Sequence, residues 1–116
     1  MKKQVYICAP LLGNVKKKIS RADRYRQYAI VCGVSPVSVH EDYRVVNWND
    51  SKMSQKALEN ALTKIWCSDE LWVMGSNITD RMREEIEFCK QFNITVRYIS
   101  NKEIRELEEK CFYEKA

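Results

Sequence analysis

The sequence predicts one α/β domain, a parallel four-stranded sheet with helices on both faces. Four short, largely apolar runs, at 4–9, 35–39, 70–75 and 94–99, have the length and content of strands buried in a sheet. Between them lie stretches whose apolar residues recur at three- and four-residue spacing, the period of a helix packed on one side. Strands alternating with helices build a parallel sheet with right-handed crossovers. A length of 116 residues, 45% of them apolar, suits one core and argues against wholesale disorder.

The first run, Gln4-Val5-Tyr6-Ile7-Cys8-Ala9, is almost continuously apolar, as a strand covered on both faces is. Pro10 ends it, and Leu11-Leu12-Gly13-Asn14 makes a turn in which Gly13 can take a positive φ. Helical spacing covers 15–31, with Ile19, Ala22, Tyr25 and Ala29 inward and Gly33 as the stop. After the second strand, the stretch 40–53 has little period and holds Tyr43, Asn47, Trp48, Asn49 and Asp50. It is expected to be the longest loop and a candidate lid. Ser54 is expected to cap a helix to about residue 67, with Ala57, Leu58, Ala61, Leu62 and Ile65 inward. The third strand leads into another helix and then the fourth strand. Asn101 is the expected cap of a final, highly charged and mostly exposed helix over 102–112.

Composition narrows the function classes. The net charge of +4 is dispersed, with Lys16-Lys17-Lys18 its one run, which disfavours a nucleic-acid groove. Five cysteines without a C-x-x-C pair fit neither a zinc site nor a disulfide framework. Most are expected to act as small hydrophobes in a reducing cytoplasm. No stretch reads as a signal peptide or a membrane span, and no metal or organic cofactor is implied.

One residue breaks the pattern. Projected at about 100° per residue, Ile78, Met82, Ile86, Phe88, Cys89 and Phe92 share one arc, with Glu84, Glu87, Lys90 and Gln91 opposite. Glu85 falls in the middle of the apolar arc. A carboxylate there is either buried and paired, for instance by Tyr6, or faces a cavity, because burial alone costs several kcal/mol or neutralises it. Ligands of open parallel sheets bind at the carboxyl ends of the strands near the switch point. Those ends are 9–14, His40-Glu41-Asp42 and Gly75-Ser76-Asn77-Ile78-Thr79, two of them leading into helix N-termini that favour anions. Each piece also has a plainer reading. Thr79 or Asn77 caps a helix, Gly13 serves a turn, His40 starts a loop, and Tyr43 and Trp48 pack on the core rather than on a base. No Ser-His-Asp set, G-x-G-x-x-G fingerprint or Walker loop is present.

The segments Val5 to Gly13, Ala22 to Ala29, Gly33 to Val37 with His40, Cys67 to Gly75, Met82 with Glu85-Ile86, and Val96-Arg97-Tyr98 resemble, in order, the nucleoside 2-deoxyribosyltransferase-like superfamily. They are most similar to its small phage and bacterial branch, with Y-I-C-x-P, C-D-E-L-W-V-x-G and M-x-x-E-I blocks. The resemblance implies a Rossmann-like (flavodoxin-like) fold and a nucleotide-like ligand. It makes Glu85 the nucleophile on the anomeric carbon and Tyr6 its orienter. Ligand contacts are then expected from Pro10, Leu12, Gly13 and Asn14 after the first strand, and from His40, Tyr43 and Trp48 in the long loop. Around the third strand's end they are Gly75, Ser76, Asn77, Thr79, Arg81 and Met82, with Thr79 and the 12–14 turn on a phosphate. Two departures stand out. Arg81 replaces the usual glycine, to clamp a phosphate or block the pocket. The assisting acid near the third strand's end is replaced by Ser76 and Asn77, with Asp80 nearby. Homo-oligomers are the rule in the superfamily and are expected here. The readings left open are an N-glycosidase or deoxyribosyltransferase, a non-catalytic binder that sequesters nucleotide-derived signals, and a partner-binding module without ligand.

Overall fold

The computed structural model describes residues 1–10 and 21–113. The turn expected at Leu12, Gly13 and Asn14 and the first part of the helix over 15–31 lie outside them. The elements are β1 (Gln4–Cys8), α1 (Arg21–Val31), β2 (Ser35–Val37), α2 (His40–Arg44), α3 (Ser51–Trp66), β3 (Glu70–Met74), α4 (Asp80–Gln91), β4 (Thr95–Ile99) and α5 (Asn101–Glu108), followed by a π-helical turn, Glu109–Tyr113. The four strands form one sheet in the order β2-β1-β3-β4, and every pairing is parallel. The chain first steps outward from β1 to β2, then crosses back to β3 on the other side of β1. The switch point of the sheet therefore lies between β1 and β3.

Alternation along the two central strands divides the core into two layers. Tyr6, Cys8, Leu71 and Val73 face α3 and α4, where Ala57, Ala61, Ile65, Met82, Ile86 and Cys89 meet them. Val5, Ile7, Trp72 and Met74 face the other way, against Tyr25 and Ala29 of α1 and Ile104 of α5. Both central strands are thus covered on both faces, which is why they read as unbroken apolar runs. Among the described residues, no helix is long and apolar enough to cross a membrane.

Helix ends account for most differences from the expected boundaries. The helix over 54–67 starts earlier. The Asp50 carboxylate accepts the Lys52 and Met53 amides as the N-cap, while the Ser54 hydroxyl donates back to the Trp48 and Asp50 carbonyls. With α2 occupying 40–44, the expected long loop shrinks to residues 45–50. Ser100, not Asn101, caps α5, receiving the Glu103 amide while the Glu103 carboxylate accepts the Ser100 amide. The stop at Gly33 is as expected. It takes φ +90°, and the Val34 amide closes onto the Ala29 carbonyl at 3.2 Å, a Schellman turn. Asn93 ends α4 in the same way at φ 57°.

Two expectations about burial fail. Phe92 lies beyond the last turn of α4 and is 44% exposed, stacked edge-on against Trp66 rather than inside the core. Only Cys8 and Cys89 are buried, whereas Cys32 and Cys67 are exposed and Cys111 is intermediate.

Candidate functional site

The buried acid is held between β1 and α4. Tyr6 and Cys8 project from the same face of β1, and α4 descends from the carboxyl end of β3 so that its buried stripe lies over them. Glu85 is in that stripe, 3% exposed, among Met82, Ile86 and Cys89. The Tyr6 hydroxyl donates to Glu85 Oε2 at 2.9 Å. Burial pushes the Glu85 carboxyl up to about 7, against the opposing pull of the Tyr6 hydroxyl, the adjacent Cys8 thiol and the positive charge of Arg81. The same burial, with the Glu85 charge beside them, raises Tyr6 and Cys8 well above their ordinary values. Burial thus favours the neutral acid, and the Tyr6 hydroxyl and Arg81 favour the carboxylate.

Arg81 closes the region above. Its guanidinium carbon lies 3.9 Å from the centroid of the Trp48 ring and 4.9 Å from that of Tyr43. The two rings meet edge-to-face at 5.3 Å. A cation over two aromatic faces is stabilised by about 1–2 kcal/mol when partly desolvated. The short α2 and the turn after it are therefore folded down onto the N-terminal part of α4. Arg81 Nη1 and Tyr43 Oη are buried there without a hydrogen bond of good geometry among the described residues. Burial and the Glu85 charge raise Tyr43 to about 12, against the opposing pull of Arg81 and Tyr6.

The remaining expected residues separate into two groups. Near Glu85 are Met82, buried, and Thr79, whose hydroxyl accepts the Met82 amide at 3.3 Å as the cap of α4. His40 opens α2 half-buried, its Nδ1 2.9 Å from the Ser38 hydroxyl. Pro10, Gly75, Ser76 and Asn77 instead line a cleft of about 410 Å³ on the α1 and α5 side of the strand ends. Asp80, the acid near the third strand's end, is exposed on the first turn of α4 and paired with Arg83 at 3.2 Å. Leu12, Gly13 and Asn14 lie outside the described residues. Sequence reading overlooked Cys8 beside Glu85, although its two-residue offset from Tyr6 in a strand is the signal for it. It also overlooked the arginines of the second cleft, which come from helices distant in sequence.

Among the solved structures that match, a 2-deoxyribosyltransferase from the psychrotolerant bacterium Bacillus psychrosaccharolyticus superposes with a TM-score of 0.66 at 18% identity, over 84% of this chain and 72% of that one. At that identity the likeness is one of fold. No curated protein sequence matches significantly. The profile of a domain of unknown function, DUF7768, matches residues 3–99, which spans the whole sheet and every residue of the Glu85 site, and the chain belongs to that family.

Proposed function

We propose that the protein binds a nucleoside or nucleotide at the β1/β3 switch point and cleaves or transfers its N-glycosidic bond, with Glu85 as nucleophile. The observation that carries this reading is the buried Glu85 carboxyl under the Tyr6 hydroxyl, which titrates near neutrality. In the reaction, an ionised Glu85 oxygen forms a bond to the anomeric carbon as the bond to the base nitrogen breaks, and the base leaves with the electron pair of that bond and takes a proton from water. Water or a second base then takes the sugar and frees the carboxylate. Tyr6 fixes the carboxylate's orientation and keeps part of it ionised. Thr79 and residues 12–14 would hold a 5′-phosphate, and Arg81, stacked on Trp48 and Tyr43, would swing to the ligand. The fold likeness to a 2-deoxyribosyltransferase supports the reading.

A second reading, capture of the ligand without turnover, is favoured by Asp80. That acid is turned to solvent and engaged by Arg83, so it offers no proton to a leaving base. The test incubates the protein with deoxynucleosides, their 5′-monophosphates, NAD and cyclic nucleotides, and resolves the products by chromatography. Release of free base that disappears in Glu85→Gln is the expected result. Unaltered ligand retained by the protein would replace catalysis with capture. Neither release nor retention would overturn both readings.

A further inference from the structure

The cleft on the α1 and α5 side of the sheet is built separately from the Glu85 site. Arg21, Arg24 and Arg105 converge on it, together with Tyr25, Asn77 and Asn101. Its described lining contains no carboxylate. Arg24 alone of the three makes a described ion pair. The Glu108 carboxylate grips it at 2.7 and 2.6 Å, tying α1 to α5. Arg21 and Arg105 have no carboxylate partner among the described residues. Burial raises the Tyr25 hydroxyl while the charges of Arg21 and Arg24 pull it down, so both guanidinium groups act on the floor of the cleft. Two like charges without a described carboxylate partner, bordering one concavity, make it attractive to an anion.

The floor is shaped for close approach. Gly75 ends β3 at φ +82°, and a Cβ on it would stand 3.2 Å from both Tyr25 Oη and Asn101 Oδ1. The amide groups of Asn77 and Asn101 and the Ser76 hydroxyl add neutral donors beside the cations. A guanidinium fork matches phosphate oxygens two at a time, and two spare positive charges suit a dianion better than a single carboxylate. The volume of about 410 Å³ falls in the range of small-molecule sites, and the cleft is a local concavity at one end of the sheet, not the long basic stripe that a nucleic-acid backbone requires. We infer that this arginine cleft is a binding site for a phosphate-bearing small molecule, distinct from the Glu85 site.

Calorimetric titration with inorganic phosphate and with pyrophosphate, at neutral pH and low ionic strength, tests it. Wild type is expected to bind one equivalent, pyrophosphate the more tightly. Arg21→Gln and Arg105→Gln, at exposed or half-exposed positions that leave folding intact by thermal melt, should each weaken binding tenfold or more. Arg105→Lys, which keeps the charge but loses the fork, should fall between. Glu85→Gln should bind phosphate as wild type does, whatever its effect on a nucleoside. Absence of saturable binding, unchanged affinity in both arginine variants, or a loss seen in Glu85→Gln and in neither arginine variant would each overturn the inference.

Discussion

At the scale of single residues, the chemistry turns on where Glu85 keeps its proton. Its folded value near 7 stands above the 4.5 of an exposed glutamate. The folded chain thus holds a proton over a range in which the unfolded chain has lost it. The contribution to stability is full below about pH 4.5 and is lost as pH rises through 7. By linkage the loss at pH 8 is on the order of 3 kcal/mol. Glu85→Gln keeps an oxygen for the Tyr6 hydroxyl and removes the charge. It should match wild type in denaturant melts at pH 4 and exceed it at pH 8 by up to that amount. Equal stability at both pH values would mean that the acid is not neutralised by burial. Tyr6→Phe acts on the same equilibrium from the other side. The hydroxyl lowers the Glu85 value, so its removal should move the carboxyl's midpoint in a carbon NMR titration, and the rising limb of any activity profile, to higher pH.

At the scale of elements, the strands and helices were legible because each central strand is buried on both faces and each helix on one. Their ends were less legible, because a cap depends on where the chain turns and not only on which residue stands nearby. Ser54 and Asp50 both suit an N-cap by type, yet Asp50 takes the free amides while Ser54 is already inside the helix and bonds backwards. Asp50→Ala should therefore cost about 1 kcal/mol, and Ser54→Ala clearly less, in urea unfolding. The reverse order would put the start of α3 at the later serine. The end of β3 gives a sharper case. Gly75 combines a left-handed φ of +82° with the Tyr25 hydroxyl and the Asn101 side-chain oxygen at 3.2 Å from where a Cβ would stand. Gly75→Ala should destabilise by about 1–3 kcal/mol and perturb the arginine cleft, since both neighbours line it.

At the scale of the whole molecule, the candidate site was legible in part. Glu85 and Tyr6 lie 79 positions apart, and the acid's place in an apolar helical stripe was enough to find it. The division of the strand-end residues was not, because it depends on which face each loop leaves the sheet. Gly75, Ser76 and Asn77 leave β3 toward α1 and α5, while Thr79 turns the chain back toward α3, within five residues. The arginines of Arg21, Arg24 and Arg105 meet only because β2-β1-β3-β4 topology brings α1 and α5 onto one face. Between the layers stands a sheet whose central strands are packed on both sides, so each layer forms its own cluster. Ile65 and Ile104 are both fully buried, one in each layer. Ile65→Val and Ile104→Val should each cost about 0.5–1.5 kcal/mol in urea unfolding, and the double variant should equal their sum to within about 0.5 kcal/mol. A larger coupling would mean that strain crosses the sheet. The Glu85 site and the arginine cleft would then share one mechanical unit, and occupancy of one would be felt at the other. Additivity leaves them as two independent sites on one scaffold, which is the arrangement that the two unconnected clusters favour.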